Sequence, residues 1–306
     1  MHKDLVSIDD LEPEEIFELL ESGLELKKKR ALGIVEPVLQ GRTVVMIFEK
    51  PSLRTRVTFE VGITQLGGQA IYLQGSDIGL GHRESIADIA RNLERWVDGI
   101  VARASSHQTV VELARWADTP VINGLTDREH PCQALALAMT LREKKCDLRG
   151  LKFAFIGDGN NVAHSFMLLS PKAGMDFVIA CPEGYEPDKQ ITEQTKDLAA
   201  RFGTSFSIVR DPFEAVKDAD VVYTDVWVSM GQESEAVERE KAFRSYQVNR
   251  ELIDSAEREV LISHCLPAHR GQEITDEVLD GPGSIALDEA ENRLHIQKAV
   301  MARLFA

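Results

Sequence analysis

The sequence predicts an α/β fold of two doubly wound domains, each built on a parallel sheet. Short apolar strands alternate with helix-like segments from Thr43 onward, and a second series of this kind follows the turn at 147–150. Such alternation is typical of βαβ units. At 306 residues, the chain is also long enough for two hydrophobic cores. We predict domains at 1–147 and 148–288, with the closing helix 289–306 packed back on the first domain and an active site in the cleft between the two.

The first domain opens with a helix over 11–31, where Ile16, Leu19 and Leu24 share one face and Gly33 follows a basic end. Apolar and β-branched runs then predict strands at 43–48, 69–73, 98–102 and 120–122. Helical spacing predicts helices near 55–66, 84–96, 107–117 and 131–144. By the same criteria the second domain has strands at 151–156, 176–180, 205–209, 220–224 and 260–263, and helices near 161–172, 190–202 and 212–218.

Composition narrows the functional classes. The chain is 43% hydrophobic and 28% charged, as soluble globular proteins are, and its net charge of −15 argues against a nucleic-acid or anionic-membrane partner. No apolar run approaches the ~20 residues that span a bilayer, and the polar, acidic first ten residues are unlike a signal peptide. The four cysteines are scattered without a Cys-x-x-Cys pair, which favours reduced thiols and a cytoplasmic location.

Polar residues cluster where the predicted strands end. In doubly wound folds, ligands bind beyond the carboxyl ends of the strands. The clusters lie at 52–56, 103, 123–133, 157–161, 225–232 and 264–270. Six polar clusters in the places where this fold binds ligands indicate an active site.

The segment Ser52-Leu53-Arg54-Thr55-Arg56 joins a predicted strand to a predicted helix. A helix N-terminus offers unpaired N–H groups and a positive dipole end to an anion. Hydroxyl and guanidinium groups add donors that match phosphate oxygens. The segment therefore predicts a phosphate site, the alternative being an ordinary helix cap with two solvated arginines.

A second cluster, His130-Pro131-Cys132-Gln133, lies where a loop enters a helix. His130 and Gln133 are three residues apart, so both side chains can donate to one carbonyl oxygen, as in an oxyanion hole. Capping and packing roles are the alternative for these two residues.

The segment Gly157-Asp158-Gly159-Asn160-Asn161 follows an apolar strand and is similar to a dinucleotide-binding fingerprint, although Val162 replaces its third glycine. An NAD-dependent dehydrogenase is therefore a competing interpretation. It leaves Arg54, Arg103 and His130 without a role, and we rank it lower.

Two further segments follow strands of the second domain. Asp225 is placed to pair with a substrate ammonium group, and 229–231 have the composition of a mobile loop. In His264-Cys265-Leu266-Pro267-Ala268-His269 three hypotheses stay open: a zinc site, a cysteine nucleophile as in an amidase, or a polar substrate contact by Cys265.

Together these segments resemble the aspartate/ornithine transcarbamoylase family, over a stretch from about residue 40 to the C-terminus. Residues 52–56 are similar to its Ser-x-Arg-Thr-Arg motif, and 130–133 to its His-Pro-x-Gln motif. Residues 225–231, which include Ser-Met-Gly, and 264–267, which read His-Cys-Leu-Pro, resemble the ornithine-using members.

The resemblance implies transfer of the carbamoyl group of carbamoyl phosphate to the side-chain amine of L-ornithine, giving L-citrulline and phosphate in arginine metabolism. Arginine biosynthesis and arginine breakdown both stay open as the direction. It implies that carbamoyl phosphate binds Ser52, Leu53, Arg54, Thr55, Arg103, His130, Gln133, Cys265, Leu266 and Arg293. Ornithine would bind Asn161, Asp225, Ser229 and Met230, and the catalytic set would be Arg54, Arg103, His130, Gln133, Asp225 and Cys265. No metal or cofactor is implied. The implied assembly is a homotrimer or a group of trimers, and putrescine or an N-acylated ornithine is the alternative acceptor.

Two positions depart from the family pattern. Gly79 stands where the family usually has a glutamine that touches carbamoyl phosphate, in a loop at 77–82 that reaches a neighbouring subunit's site. Leu137 stands where an aspartate usually follows His-Pro-x-Gln, and we expect a structural role for it.

Overall fold

The computed structural model describes residues 3–79, 83–229, 231–256 and 258–306. The chain forms two compact units, Met1–Met139 with Glu291–Ala306, and Thr140–Ala290. Within the described ranges, none of the helices has both the length and the apolar composition needed to cross a membrane. All four cysteines are free thiols.

The first unit contains a four-stranded parallel sheet in the order β2-β1-β3-β4. Its strands are β1 Thr43–Phe48, β2 Gln69–Gln74, β3 Gly99–Arg103 and β4 Val121–Leu125. Its helices are α1 Pro13–Ala31, α2 Leu53–Gln65, α3 Gly75–Ile78, α4 Ile86–Leu93 and α5 His107–Trp116, followed by α6 Pro131–Lys145, which runs on into the second unit's residues.

The second unit contains a five-stranded parallel sheet in the order β7-β6-β5-β8-β9. Its strands are β5 Lys152–Ile156, β6 Asp176–Ala180, β7 Phe206–Val209, β8 Val221–Thr224 and β9 Leu261–His264. Its helices are α7 Asn161–Lys172, α8 Lys189–Phe202, α9 Pro212–Val216, α10 Ala236–Phe243, α11 Arg250–Asp254 and α12 Asp276–Leu279. The last helix, α13 Ala286–Phe305, begins here, and its residues from Glu291 belong to the first unit.

The predicted fold class is confirmed, because both sheets are wholly parallel and helices connect their strands. In the first unit, side chains of β1 and β3 such as Ile47 and Ile100 form a core with Leu93 of α4 and Leu113 of α5. The second unit has a core that joins Val222 and Ile262 to residues of the following loops and helices. On its sheet, Phe153 and Tyr223 stack edge to face with Phe166 of α7.

The strand registers decide which strand ends are neighbours. In the first sheet Phe48 pairs with Arg103, so the turn after β1 lies beside the end of β3. In the second sheet Ile156 pairs with Thr224, and Thr224 pairs with His264. The segments that start at Gly157, Asp225 and Cys265 therefore leave the sheet side by side.

Several boundaries differ from the prediction for local reasons. Helix α2 begins at Leu53 because the side chain of Ser52 caps it. Strand β3 includes Arg103, and β4 extends to Leu125. The sequence did not predict α3 and α10 to α12, which are four to eight residues long.

Candidate active site

The turn between β1 and α2 supplies the first part of the site. Ser52 has an extended backbone, and its Oγ accepts the Thr55 N–H at 3.2 Å. The Leu53 side chain is 74% exposed. We therefore expect a ligand at the helix N-terminus to contact the backbone N–H of Leu53 and not its apolar side chain. This cap brings Thr55 into the first helical turn with its side chain buried.

Arg293 of α13 joins this turn to α6. Its Nη2 donates to Thr55 Oγ1 at 2.8 Å, and its Nη1 donates to Gln133 Oε1 at 2.7 Å. Arg103 Nη1 lies 3.4 Å from the same Thr55 hydroxyl. Since Thr55 Oγ1 accepts from guanidinium groups, its own hydrogen is donated elsewhere. Arg293 likewise holds the Gln133 amide with its NH₂ directed away from the guanidinium. We call Ser52, Arg54, Thr55, Arg103, His130, Gln133 and Arg293 the anion half-site.

His130 is buried beside these cations. Burial lowers the pKa of its imidazole well below the ordinary value, and the charges of Arg293, Arg103 and Arg54 lower that pKa further. The ring is therefore neutral near pH 7 and carries one N–H. A neutral imidazole among fixed guanidinium groups suits donation to a carbonyl oxygen on which negative charge develops.

Asp225 organises a polar cluster of the second unit. Its Oδ1 accepts the Cys265 thiol at 2.8 Å and the Val226 N–H at 2.8 Å, and its Oδ2 accepts from Asn160 Nδ2 at 2.8 Å. The carboxylate is almost buried. We call Asn160, Asn161, Asp225, Ser229 and Cys265 the carboxylate half-site, and it offers a fixed negative charge to an ammonium group.

The surroundings of Cys265 bear on the three hypotheses for this segment. Asp225, His264 and Cys265 bring their ligand atoms within 4.8 Å of one another. However, His264 Nδ1 accepts the Leu266 N–H at 2.8 Å, and its Nε2 lies 3.0 Å from Glu273 Oε1. Both ring nitrogens are thus engaged, which disfavours the imidazole as a zinc ligand and as a base for the thiol. The geometry favours a polar contact by Cys265.

The glycine loop after β5 does not fit a dinucleotide. A Cβ on Gly159 would lie 2.1 Å from the Pro187 backbone nitrogen, so the chain at 186–187 covers the place where a Rossmann glycine admits the pyrophosphate. Asn160 Oδ1 accepts the N–H groups of Val162 and Ala163 at 3.0 and 3.1 Å, which occupies the N-terminus of α7. The dehydrogenase interpretation is therefore wrong, because it required the 157–161 loop to bind a dinucleotide.

Sequence reasoning missed three residues of this unit. Asn160 links the glycine loop to Asp225, and its place before a helix was the available signal. Asp158 and Arg239 form a buried ion pair at 2.9 Å. Arg239 also donates to the Trp227 carbonyl at 3.0 Å and to Glu235 at 2.9 Å, and so ties together the two ends of the 228–234 loop. Burial raises the pKa of Asp158 to about 6 against the opposing charge of Arg239.

Four other residues that the sequence predicted for the site remain to be located: Asn161, Ser229, Met230 and Leu266. Asn161 is the first residue of α7, and the Ser229 N–H donates to Gln232 Oε1 at 3.1 Å. Met230 lies outside the described residues, as do residues 80–82 of the predicted subunit loop. Leu266 follows Cys265 in a left-handed conformation, with φ of 53°.

The two departures from the family pattern have structural correlates. Gly79 ends α3 with φ of 61°, and a Cβ there would lie 2.7 Å from Arg83 Cβ. A glutamine at this position would need a different backbone. Leu137 is buried in α6, as a packing role requires.

Comparison with known proteins places this geometry in a family. Residues 3–143 match the carbamoyl-P binding domain of aspartate/ornithine carbamoyltransferase, and residues 149–304 match the Asp/Orn binding domain. An ornithine carbamoyltransferase of Pyrococcus abyssi is 54% identical over 302 residues, which cover 99% of this chain and 95% of the relative. An anabolic ornithine carbamoyltransferase of Pyrococcus furiosus is 53% identical over 300 residues, 98% of this chain and 95% of the relative.

Solved structures agree with the sequence matches. The ornithine carbamoyltransferase structure from Pyrococcus furiosus superposes with a TM-score of 0.97 at 52% identity, and the match covers 99% of this chain and 97% of that one. The chain belongs to the aspartate/ornithine carbamoyltransferase family.

Proposed function

We propose that the protein is an ornithine carbamoyltransferase that makes L-citrulline and phosphate from carbamoyl phosphate and L-ornithine. The observation that carries the proposal is the buried set in which Arg293 bonds to both Thr55 and Gln133. This set puts hydroxyl, amide and guanidinium donors in one place, as an acyl phosphate needs for its phosphate and its carbonyl oxygen.

Carbamoyl phosphate binds the anion half-site. Its phosphate is held by the N-terminus of α2, the Thr55 hydroxyl and the guanidinium groups of Arg54 and Arg103. His130 and Gln133 donate to the carbamoyl oxygen, with Cys265 and Leu266 completing the surroundings of the carbamoyl group. The support is the burial of Thr55, Arg103, His130 and Gln133 and the neutral state of His130.

Ornithine binds the carboxylate half-site. Asp225 accepts hydrogen bonds from protein donors at both carboxylate oxygens, which fixes the orientation of the carboxylate. Its negative charge pairs with an ammonium group of the substrate. Asn161 at the start of α7 and the 229–230 segment contact the rest of the amino acid. Recognition of an amino acid at this place gives the glycine loop a role without a nucleotide.

The transfer itself needs no covalent enzyme intermediate. The ornithine side-chain amine has an unperturbed pKa of about 10 and must lose a proton before it attacks the carbamoyl carbon. The new C–N bond forms, charge collects on the carbonyl oxygen near His130 and Arg103, and the C–O bond to phosphate breaks. The second amine proton leaves with the phosphate, so atoms and charge balance.

The direct test is an assay with purified protein, carbamoyl phosphate and ornithine. Citrulline and phosphate should form in equal amounts, while aspartate, putrescine and N-acetylornithine run in parallel give little product. Turnover with putrescine or N-acetylornithine, but not with ornithine, would make that compound the acceptor and leave the reaction type unchanged. Absence of any carbamoylated product would refute the proposal.

Replacing Cys265 with serine should leave substantial turnover, because the hydroxyl can donate to Asp225 as the thiol does. We expect kcat within about tenfold of the native value, since the bond to the Asp225 carboxylate is kept and a tenfold change in rate corresponds to only about 1.4 kcal/mol. Steady-state kinetics and mass spectrometry of the quenched enzyme check this. Loss of all turnover, together with a trapped carbamoyl-enzyme in the native protein, would instead make Cys265 a nucleophile.

Replacing Arg239 with glutamine should raise KM for ornithine by about tenfold, because removing a buried charged hydrogen-bond partner costs about 1.5–3 kcal/mol. The ends of the 228–234 loop lose their common tie, whereas the anion half-site keeps all its contacts. Kinetics with each substrate varied in turn measure the effect. Arg258→Gln, which removes an exposed pair with Asp220, is the control. An equal rise in both KM values would contradict a specific role for Arg239.

We also propose a homotrimer or an assembly of trimers in the cytoplasm, acting in arginine biosynthesis. Leu53, Val57 and Val61 form an exposed apolar stripe on α2, and Ile71 is exposed on the edge strand β2. Such a stripe suits burial against another copy of the chain. Light scattering after gel filtration should give three chains or a multiple of three, and Val57→Glu should lower that number. A native protein that runs as a monomer would refute the assembly.

A further inference from the structure

The first residues of the chain form a strap, residues 4–11, along the edge of the first sheet. The Leu5 N–H donates to the Val121 carbonyl at 2.9 Å, and the Asn123 N–H donates to the Leu5 carbonyl at 2.8 Å. Leu5, Ile8 and Leu11 are buried. The strap therefore extends the sheet beyond β4, the strand that leads to His130.

Glu129 bonds this strap to the turn that carries His130. Its carboxylate accepts the Ile8 N–H at 3.0 Å and a hydrogen bond from the Ser7 side chain. The side chain is only 1% exposed. Thr126 closes the turn on the other side, since its N–H donates to the Glu129 carbonyl at 2.9 Å and its Oγ1 accepts the Glu129 N–H at 3.2 Å.

We propose that Glu129 is a positioning residue for His130, and that its ionisation adjusts the affinity for carbamoyl phosphate through the hold of the strap on the 126–129 turn. The role deepens the proposed function and rests on it. Glu129 and His130 are neighbours in the chain, so any shift of the turn moves the imidazole. A carboxylate also holds two donors more firmly than a neutral acid does.

The group titrates where the effect can be observed. Burial raises the pKa of Glu129 to about 7, and the carboxylate of Asp10 raises it too, while the Ser7 and Ile8 donors and Arg128 lower it. His107 contacts Thr126 Oγ1 of the same turn at 3.0 Å, and burial lowers its pKa. The pKa of His130 is lowered as well. Glu129 therefore changes charge near neutral pH, whereas the lowered pKa values of His107 and His130 favour the neutral forms of both imidazoles.

Affinity and stability should respond to this charge in opposite directions. The folded-state pKa of Glu129 is raised above its ordinary value of 4.5. Its contribution to the free energy of unfolding is therefore fully present below that value and is lost as the pH rises through about 7. Above that pH, the buried negative charge lowers the free energy of unfolding because it is poorly solvated. The same charge strengthens the hydrogen bonds that Glu129 accepts from the strap.

The test compares the native protein with Glu129→Gln, which has similar shape and is neutral at every pH. Calorimetry with carbamoyl phosphate alone measures affinity at pH 6 and pH 8, and the ratio between the two proteins cancels ionisation of the ligand. We expect the variant to lose affinity relative to the native protein by about fivefold on going to pH 8. Over the same interval, its Tm should rise relative to the native Tm.

Asp127→Asn is the matched control, because Asp127 lies in the same turn with an exposed side chain. Its affinity ratio should be the same at both pH values. If the affinity of Glu129→Gln relative to the native protein were the same at pH 6 and pH 8, the proposal would be overturned. It would also be overturned if affinity and Tm of the variant fell together, as expected for a residue with only a structural role. Because binding is measured without turnover, absence of citrulline in the assay would refute the proposed function separately.

Discussion

Replacing Arg293 with glutamine is expected to lower kcat/KM for carbamoyl phosphate by about 10²–10³-fold, the range for losing one donor that stabilises an oxyanion. The native guanidinium bonds at once to Thr55 and to Gln133, so its loss frees two groups of the proposed carbamoyl-phosphate site. A shorter amide cannot reach both and carries no charge. Steady-state kinetics with carbamoyl phosphate varied, and circular dichroism to check folding, measure the result.

Two further variants sharpen this test. Arg293→Lys keeps the charge without the fork and should fall between the native enzyme and Arg293→Gln. Arg303→Gln changes the same helix at a guanidinium that pairs with Glu15 and Glu18, and it should stay within about twofold, as for a surface ion pair. A folded Arg293→Gln enzyme with nearly native kcat/KM would contradict the arrangement of the anion half-site.

Replacing Asp225 with asparagine is expected to raise KM for ornithine by about 100-fold or more, since an unpaired buried charge or polar group costs about 3 kcal/mol. The variant loses the negative charge. It also turns one oxygen that accepts from Asn160 or Cys265 into an NH₂ group, so a donor then faces a donor. Kinetics with ornithine varied measure the loss.

The affinity of this variant for carbamoyl phosphate provides the internal comparison. The anion half-site lies on the first unit and keeps its contacts, while the Cys265 thiol loses its acceptor. Calorimetry should therefore show a much smaller loss of affinity for carbamoyl phosphate than the rise in KM for ornithine. Asp254→Asn, which removes only an exposed pair with Arg250, is the control for the loss of one acidic charge. An Asp225→Asn protein that binds carbamoyl phosphate poorly while using ornithine normally would reverse the assignment of the two half-sites.

Local patterns in the sequence determined much of this protein. Alternating strand and helix periodicity predicted two parallel-sheet units, because each pattern depends on neighbours within a few residues. Strand ends then located the polar clusters, since parallel strands direct their carboxyl ends to one edge. The segments 52–56 and 130–133, with the resemblance they carry, indicated a family that the comparisons confirm. Arg239, which lies outside the polar segments, gave no signal, and Asn160 gave a weak one through its place before a helix.

The tertiary structure alone decided how the residues work together. Arg293 is 238 residues from Thr55 and 160 from Gln133, yet it bonds to both. Glu129 reaches Ile8 across 121 positions. Such contacts depend on strand register and on where whole helices pack, which periodicity does not encode. Charge states follow the same rule, because the low pKa of His130 and the raised pKa of Glu129 arise from burial and from charges distant in sequence. Local residue order thus established the fold and the chemical groups, and tertiary packing set their partners and protonation.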